Sequence, residues 1–96
     1  MAQLGWSCFQ REEYRQTTKY YEKVFAMRGN NPGYYYHLAA AAWAALGEKK
    51  TAFMYLKAAV EHGWKSAEAT RKMKEFAGLH EDVVFDEVLR NIENQS

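Results

Sequence analysis

The sequence predicts an all-α protein, and three observations lead to that prediction. Apolar side chains between residues 34 and 64 recur at i, i+3, i+4 and i+7, the spacing of one face of an α-helix. Gly47 and Gly63 end two such stripes, because glycine readily takes the left-handed conformation that terminates a helix. Alanine, the strongest helix former, fills positions 39 to 42. The stretch is therefore interpreted as a helical hairpin.

Both helices of this hairpin have an apolar stripe, and the first also has a start signal. Asn31 is a good N-cap, and Pro32 at the first helical position loses no hydrogen bond that it needed. The alanines leave the first helix almost without side-chain bulk, so a neighbouring helix is expected to approach closely. The two apolar stripes are Tyr36, Ala39, Ala40, Trp43 and Leu46, and then Ala52, Phe53, Leu56, Ala59 and Val60.

The chain before the hairpin aligns with it at a shift of 35 residues. A short helix is expected to end near Gln10, and Glu12-Glu13 is expected to open a second one, since acidic residues suit the positive end of the helix dipole. The aligned pairs are Leu4 with Ala39, Gly5 with Ala40, Cys8 with Trp43, Thr17 with Ala52, Tyr21 with Leu56, and Val24 with Ala59.

The chain after Gly63 carries two further helical signals. Ser66 is expected to cap a short helix over Ala67 to Met73. A final helix is predicted from about Asp82 to Asn94, with an apolar stripe at Phe85, Val88, Leu89 and Ile92.

These positions resemble the tetratricopeptide repeat. Trp43 falls on the family's large aromatic position, Ala40, Ala52 and Ala59 on its small-residue positions, and Leu56 on the large position between them. Ala39 and Trp64 depart from the pattern, Trp64 standing where proline is common. The tail resembles the closing segment of many bacterial repeat arrays, which covers the apolar face of a last repeat. The resemblance implies one domain of a longer protein, with a truncated first repeat at 1–29, a second at 30–64 and a helical cap at 65–96.

Composition and charge exclude several classes of function. A net charge of +1 gives no global reason to bind nucleic acid, and the apolar run is about half of the ~20 residues that a membrane span needs. The single cysteine excludes an internal disulfide and leaves the compartment unknown. Residues 1–74 carry net +6 and residues 75–96 net −5. That division fits either a solvated surface or a head-to-tail contact, within one molecule or between two.

No spacing indicates an enzyme. The chain lacks HExxH, CxxC and a Gly-rich phosphate loop with its lysine, so no catalytic residue, metal ligand or cofactor is predicted. Cys8, His37, His62 and His80 are the remaining candidates for chemistry, and a buried, inert thiol is expected for Cys8.

The resemblance places a partner in a concave groove lined by the first helix of each repeat. It implies protein–protein interaction, with a peptide segment or partner domain bound through aromatic side chains. Three alternatives stay open: a structural or dimerising appendage of a larger enzyme or sensor, a small-molecule pocket, and a groove covered by upstream repeats or by the cap. The predicted groove residues are Trp6, Phe9, Gln10, Tyr34, His37 and Ala41, with Ala44 and Ala45 beside them.

Overall fold

The protein is described by a computed structural model that covers residues 7–27 and 31–94. The all-α prediction is confirmed, since these residues contain helices and no strand. Residues 7–10 are helical and precede α1. The later helices are α1 (Tyr14–Met27), α2 (Gly33–Ala45), α3 (Lys49–Glu61), α4 (Ala67–Lys72), a 3-10 helix (Lys74–Leu79) and α5 (Val83–Asn94).

The start of α1 differs from the prediction. Glu12 does not open the helix, because it takes a left-handed φ of 60° and closes the preceding helical turn instead. Glu13 directly precedes α1, and its carbonyl accepts from the N–H of Thr17 at 3.0 Å. The N–H of Glu13 donates to the Cys8 carbonyl at 2.9 Å, and that of Glu12 to the Phe9 carbonyl at 3.0 Å. A left-handed residue at this place satisfies the last carbonyls of the helix that it ends.

The predicted hairpin is present as α2 and α3. Gly47 takes φ 85°, and the N–H of Glu48 closes the turn on the Trp43 carbonyl at 3.0 Å. α2 packs on α1, on α3 and on the 3-10 helix, so nearly its whole circumference is covered. The alanines at 39 to 42 make this possible, since a helix with so little bulk admits close neighbours on every side.

The N-terminus of α2 was predicted one residue too early. Asn31 does not cap the helix; Pro32 holds the N-cap position, without a side-chain hydrogen bond, and Gly33 is the first helical residue. The N–H of Gly33 donates to the His62 carbonyl at 3.1 Å, which ties the start of α2 to the end of α3. A Cβ on Gly33 would lie only 2.6 Å from the Ala59 carbonyl oxygen.

Both C-terminal helices have the predicted starts. Ser66 accepts from the N–H of Ala69 at 3.2 Å and caps α4. Asp82 accepts from the N–H of Val84 at 2.9 Å at the start of α5. Between them the 3-10 helix carries Phe76, which is fully buried against α2 and α5.

The C-terminal segment is also attached to the beginning of the described chain. The hydroxyl of Tyr14 donates to the Glu75 carboxylate at 2.7 Å, and Lys74 pairs with Glu12. The 3-10 helix therefore contacts both α2 and the residues that lead into α1. This arrangement positions the C-terminal segment over the face of α2 that carries His37.

Candidate functional site

The site begins at a polar node around the Thr70 hydroxyl, in the middle of α4. The hydroxyl donates its single proton to the Ser66 carbonyl at 3.1 Å. Its lone pairs then accept from the indole N–H of Trp64 at 3.0 Å and from the His37 ring at 2.9 Å. Since the hydroxyl proton is already used, His37 carries its own proton on Nε2 and donates it. The Thr70 hydroxyl thus makes three hydrogen bonds.

His37 is held neutral in this node. Its side chain is 2% exposed, and burial lowers the pKa of the imidazole from 6.5 to about 3. Desolvation penalises the charged form, and no carboxylate contributes to the shift to offset it. The ring is thus a hydrogen-bond donor and an aromatic surface at neutral pH, without the proton equilibrium that general acid–base chemistry requires.

A stack of three rings leads from the node to the surface. The His37 ring stacks on Trp64 with centroids 4.0 Å apart and an interplanar angle of 19°. Trp64 in turn stacks on Tyr34, at 6.3 Å and 17°. Tyr34 is 39% exposed, and partial burial raises the pKa of its hydroxyl. We call Tyr34, Trp64 and His37 the aromatic ladder; its inner end is hydrogen-bonded and its outer end meets solvent.

The predicted groove residues divide between core and surface. Phe9 packs edge-on against Tyr14 at 5.9 Å and is 7% exposed, while Ala41 is fully buried. Gln10 is exposed, as is Ala45, and Ala44 is half-buried. Trp6 lies outside the described residues. The structure does not gather the described members into one open surface, because the 3-10 helix covers the side of α2 on which His37 lies.

A second aromatic group lies between α1, α2 and α3. Tyr36 is sandwiched between Phe25 and His62, with centroids 4.3 and 4.4 Å away, and Tyr55 packs on Phe25 at 5.7 Å. All four are half-buried. These rings fill the space that the alanines of α2 leave between α1 and α3, so they act as core packing.

Comparison with models of protein families, with curated proteins and with solved structures finds no match to this chain.

Other kinds of site receive no support from the described part of the chain. Within residues 7–27 and 31–94, no group of three or more His, Cys, Asp and Glu side chains converges as metal ligands would. Cys8 is a buried free thiol, as expected. None of the described helices is long and apolar enough to cross a membrane.

Sequence reasoning missed two members of the site, Trp64 and Thr70. Trp64 was interpreted only as a departure from the repeat pattern, and Thr70 received no role. The sequence did contain a signal for Trp64. It directly follows Gly63, which ends α3, and the end of α3 lies beside the start of α2 in a helical hairpin. Thr70 had no such signal; its role depends on a contact with His37 across 33 residues of sequence.

Proposed function

We propose that this chain is a tetratricopeptide-like interaction module that binds a segment of another protein against the outer end of the aromatic ladder. The single observation that carries the proposal is the exposure of Tyr34, at 39%, on a ring stack fixed at its inner end. Tyrosine and tryptophan dominate binding hot spots because they offer a large, rigid contact area. The proposed surface is narrower than the groove expected from sequence, since Phe9, His37 and Ala41 are buried.

The fixed position of Tyr34 favours binding energetically. A side chain that is ordered only on binding loses rotamer freedom, at about 0.5–1.5 kcal/mol. Tyr34 is already stacked on Trp64, and Trp64 is hydrogen-bonded to Thr70. An apolar or aromatic side chain of the partner would therefore contact a pre-ordered surface. The neutral state of His37 leaves the base of the ladder uncharged, so the proposed partner presents an apolar anchor rather than a charge.

The experiment is a selection of random displayed peptides on the purified protein, followed by titration of the selected peptides. Truncating a hot-spot side chain costs about 2 kcal/mol or more, so Tyr34→Ala is expected to raise the Kd at least tenfold. Met54→Ala is the matched control, because Met54 is 58% exposed on α3 and away from the ladder. Circular dichroism melting of both variants checks that the fold is retained.

Two results would count against the proposal. One is a selection that yields no peptide with saturable binding. The other is a set of peptides that bind Tyr34→Ala as tightly as the unaltered chain, which would place the binding surface elsewhere on the molecule. The alternative expected from sequence, a dimerising or structural appendage, is favoured by a separate observation, the distribution of charge on α1 and α5.

A further inference from the structure

The exposed side of α1 is basic. Arg15, Lys19 and Lys23 are spaced four residues apart, so they lie along one face of the helix, and all three are exposed. Glu22 is the one acidic residue of α1, beside this row. Within residues 7–27 and 31–94 the ion pairs use other side chains, such as Lys74 with Glu12 and Arg71 with Glu93. We call Arg15, Lys19 and Lys23 the basic face.

A groove runs beside the basic face. Its volume is about 650 Å³, and Lys19 and Lys23 lie on its wall together with the apolar side chains of Cys8, Tyr20 and Ala26. Among the described residues, Glu13, Gln16 and Glu22 also line it. The groove therefore combines apolar side chains with two lysines and two glutamates, and its lysines belong to the basic face. An apolar side chain flanked by carboxylates fits such a groove where the carboxylates meet the lysines.

Such a group is present at the start of α5. Val83 is 69% exposed, the most exposed of the large apolar side chains in the described residues. Glu81, Asp86 and Glu87 surround it in sequence and are also exposed. Arg90 is the one basic residue of α5 and lies a turn further along. We call Glu81, Val83, Asp86 and Glu87 the acidic knob.

The basic face and the acidic knob lie on helices with different packing partners. α1 packs on α2, whereas α5 packs on α3 and α4. Among the described residues, no ion pair joins the two surfaces, since the ion pairs are Arg11 with Glu13, Arg71 with Glu93, Lys72 with Glu68 and Lys74 with Glu12. Both sets of charges are therefore available to a second copy, and complementary potentials of this kind steer association.

We propose that the acidic knob of one copy docks in the groove beside the basic face of a second copy. Val83 would occupy the groove while Glu81, Asp86 and Glu87 pair with Arg15, Lys19 and Lys23. The contact joins two different surfaces, so it is heterologous, and each copy in a chain of copies keeps one surface available at each end. Association by this contact builds open chains or rings rather than a symmetric dimer.

The first measurement is the mass of the full chain by light scattering on a size-exclusion column, over protein concentrations up to about 1 mM and at two salt concentrations. The mass is expected to rise with protein concentration at about 0.05 M salt. At about 1 M salt the rise should disappear, because the Debye length falls to about 3 Å. A mass that stays monomeric at low salt throughout would overturn the proposal.

Neutralising variants then test the two surfaces separately. Lys19→Gln with Lys23→Gln, and Asp86→Asn with Glu87→Gln, should each be monomeric alone. A mixture of the two variants should form a 1:1 pair that grows no further, because one intact surface of each kind remains. Lys49→Gln with Lys50→Gln is the control for charge alone, since both lysines are exposed at the start of α3. This control should associate like the unaltered chain.

Three outcomes would overturn the assignment. Association that survives both pairs of substitutions would place the contact elsewhere. A mixture that stays monomeric would mean that the two surfaces are not each other's partners. Binding of heparin or of phosphatidylserine vesicles to the basic face, by a chain that stays monomeric, would identify a polyanion as the partner. Tyr34→Ala should leave association unchanged, so this proposal and the proposed peptide site can fail independently.

Discussion

Gly33→Ala tests the close approach of α2 to α3. A Cβ at this position would lie 2.6 Å from the Ala59 carbonyl oxygen, 2.8 Å from the Trp64 nitrogen and 3.1 Å from the His62 carbonyl oxygen. All three are backbone atoms, so the clash is relieved only if the end of α3 moves away from α2. Overpacking of this kind costs about 2–3 kcal/mol, near the upper end of its usual range.

The opposing term is the helix propensity of alanine. Replacing glycine by alanine within a helix favours folding by at most about 1 kcal/mol. The net expectation is a loss of about 1–2 kcal/mol in the free energy of unfolding, or a Tm lower by about 5–15 °C for a chain of this size. Urea unfolding followed by circular dichroism measures it.

Gly78→Ala is the matched control for this substitution. Gly78 lies in the 3-10 helix, and a Cβ there would meet nothing within 4 Å. The control is expected to be neutral or slightly stabilising. A Gly33→Ala protein as stable as the unaltered chain would refute the close approach of α2 to α3, because it would show no destabilisation from a clash at the added Cβ.

Two further predictions concern the polar node. Thr70→Val keeps the shape of the side chain but removes the acceptor of both Trp64 and His37, so the free energy of unfolding measured in urea should fall by about 2–4 kcal/mol. Thr51→Val is the control, and it should change that free energy little because Thr51 is half-exposed. His37 is protonated in the unfolded chain below pH 6.5 but in the folded chain only near pH 3, so its contribution is present above pH 6.5 and is lost as the pH falls. The loss of stability approaches about 4–5 kcal/mol near pH 3. Urea midpoints measured between pH 7 and pH 4 should therefore fall more steeply for the unaltered chain than for His37→Gln. Equal slopes for the two proteins would contradict the burial of a neutral imidazole.

Helical periodicity predicted the elements whose signals are local. The stripe from Phe85 to Ile92 and the capping residues Ser66 and Asp82 depend on side chains within one or two turns of each other. The boundary at Glu12 was wrong because a helix end that normally uses glycine is made here by a glutamate at positive φ. That conformation is uncommon for a residue with a Cβ, so the residue type gave no sign of it.

The candidate site was only partly accessible from sequence. Tyr34 was expected to line a groove because of its position in the repeat pattern, and in the structure its side chain is on the surface of α2. His37 was expected to face a groove, and its burial depends on Phe76, which lies 5.4 Å from its ring and 39 positions later in the chain. Periodicity indicates which face of a helix a residue occupies, but not which distant segment folds over that face.

The near-complete burial of α2 has a consequence for how the fold comes apart. Nearly every side of this helix is covered, by α1, by α3 and by the 3-10 helix, which come from before and after it in the chain. Removing any one of these neighbours exposes α2 to solvent. The separation of one neighbour therefore weakens the contacts that the others make with α2. We therefore expect the short alanine side chains of α2 to make unfolding cooperative, with the elements packed on α2 separating together rather than one at a time.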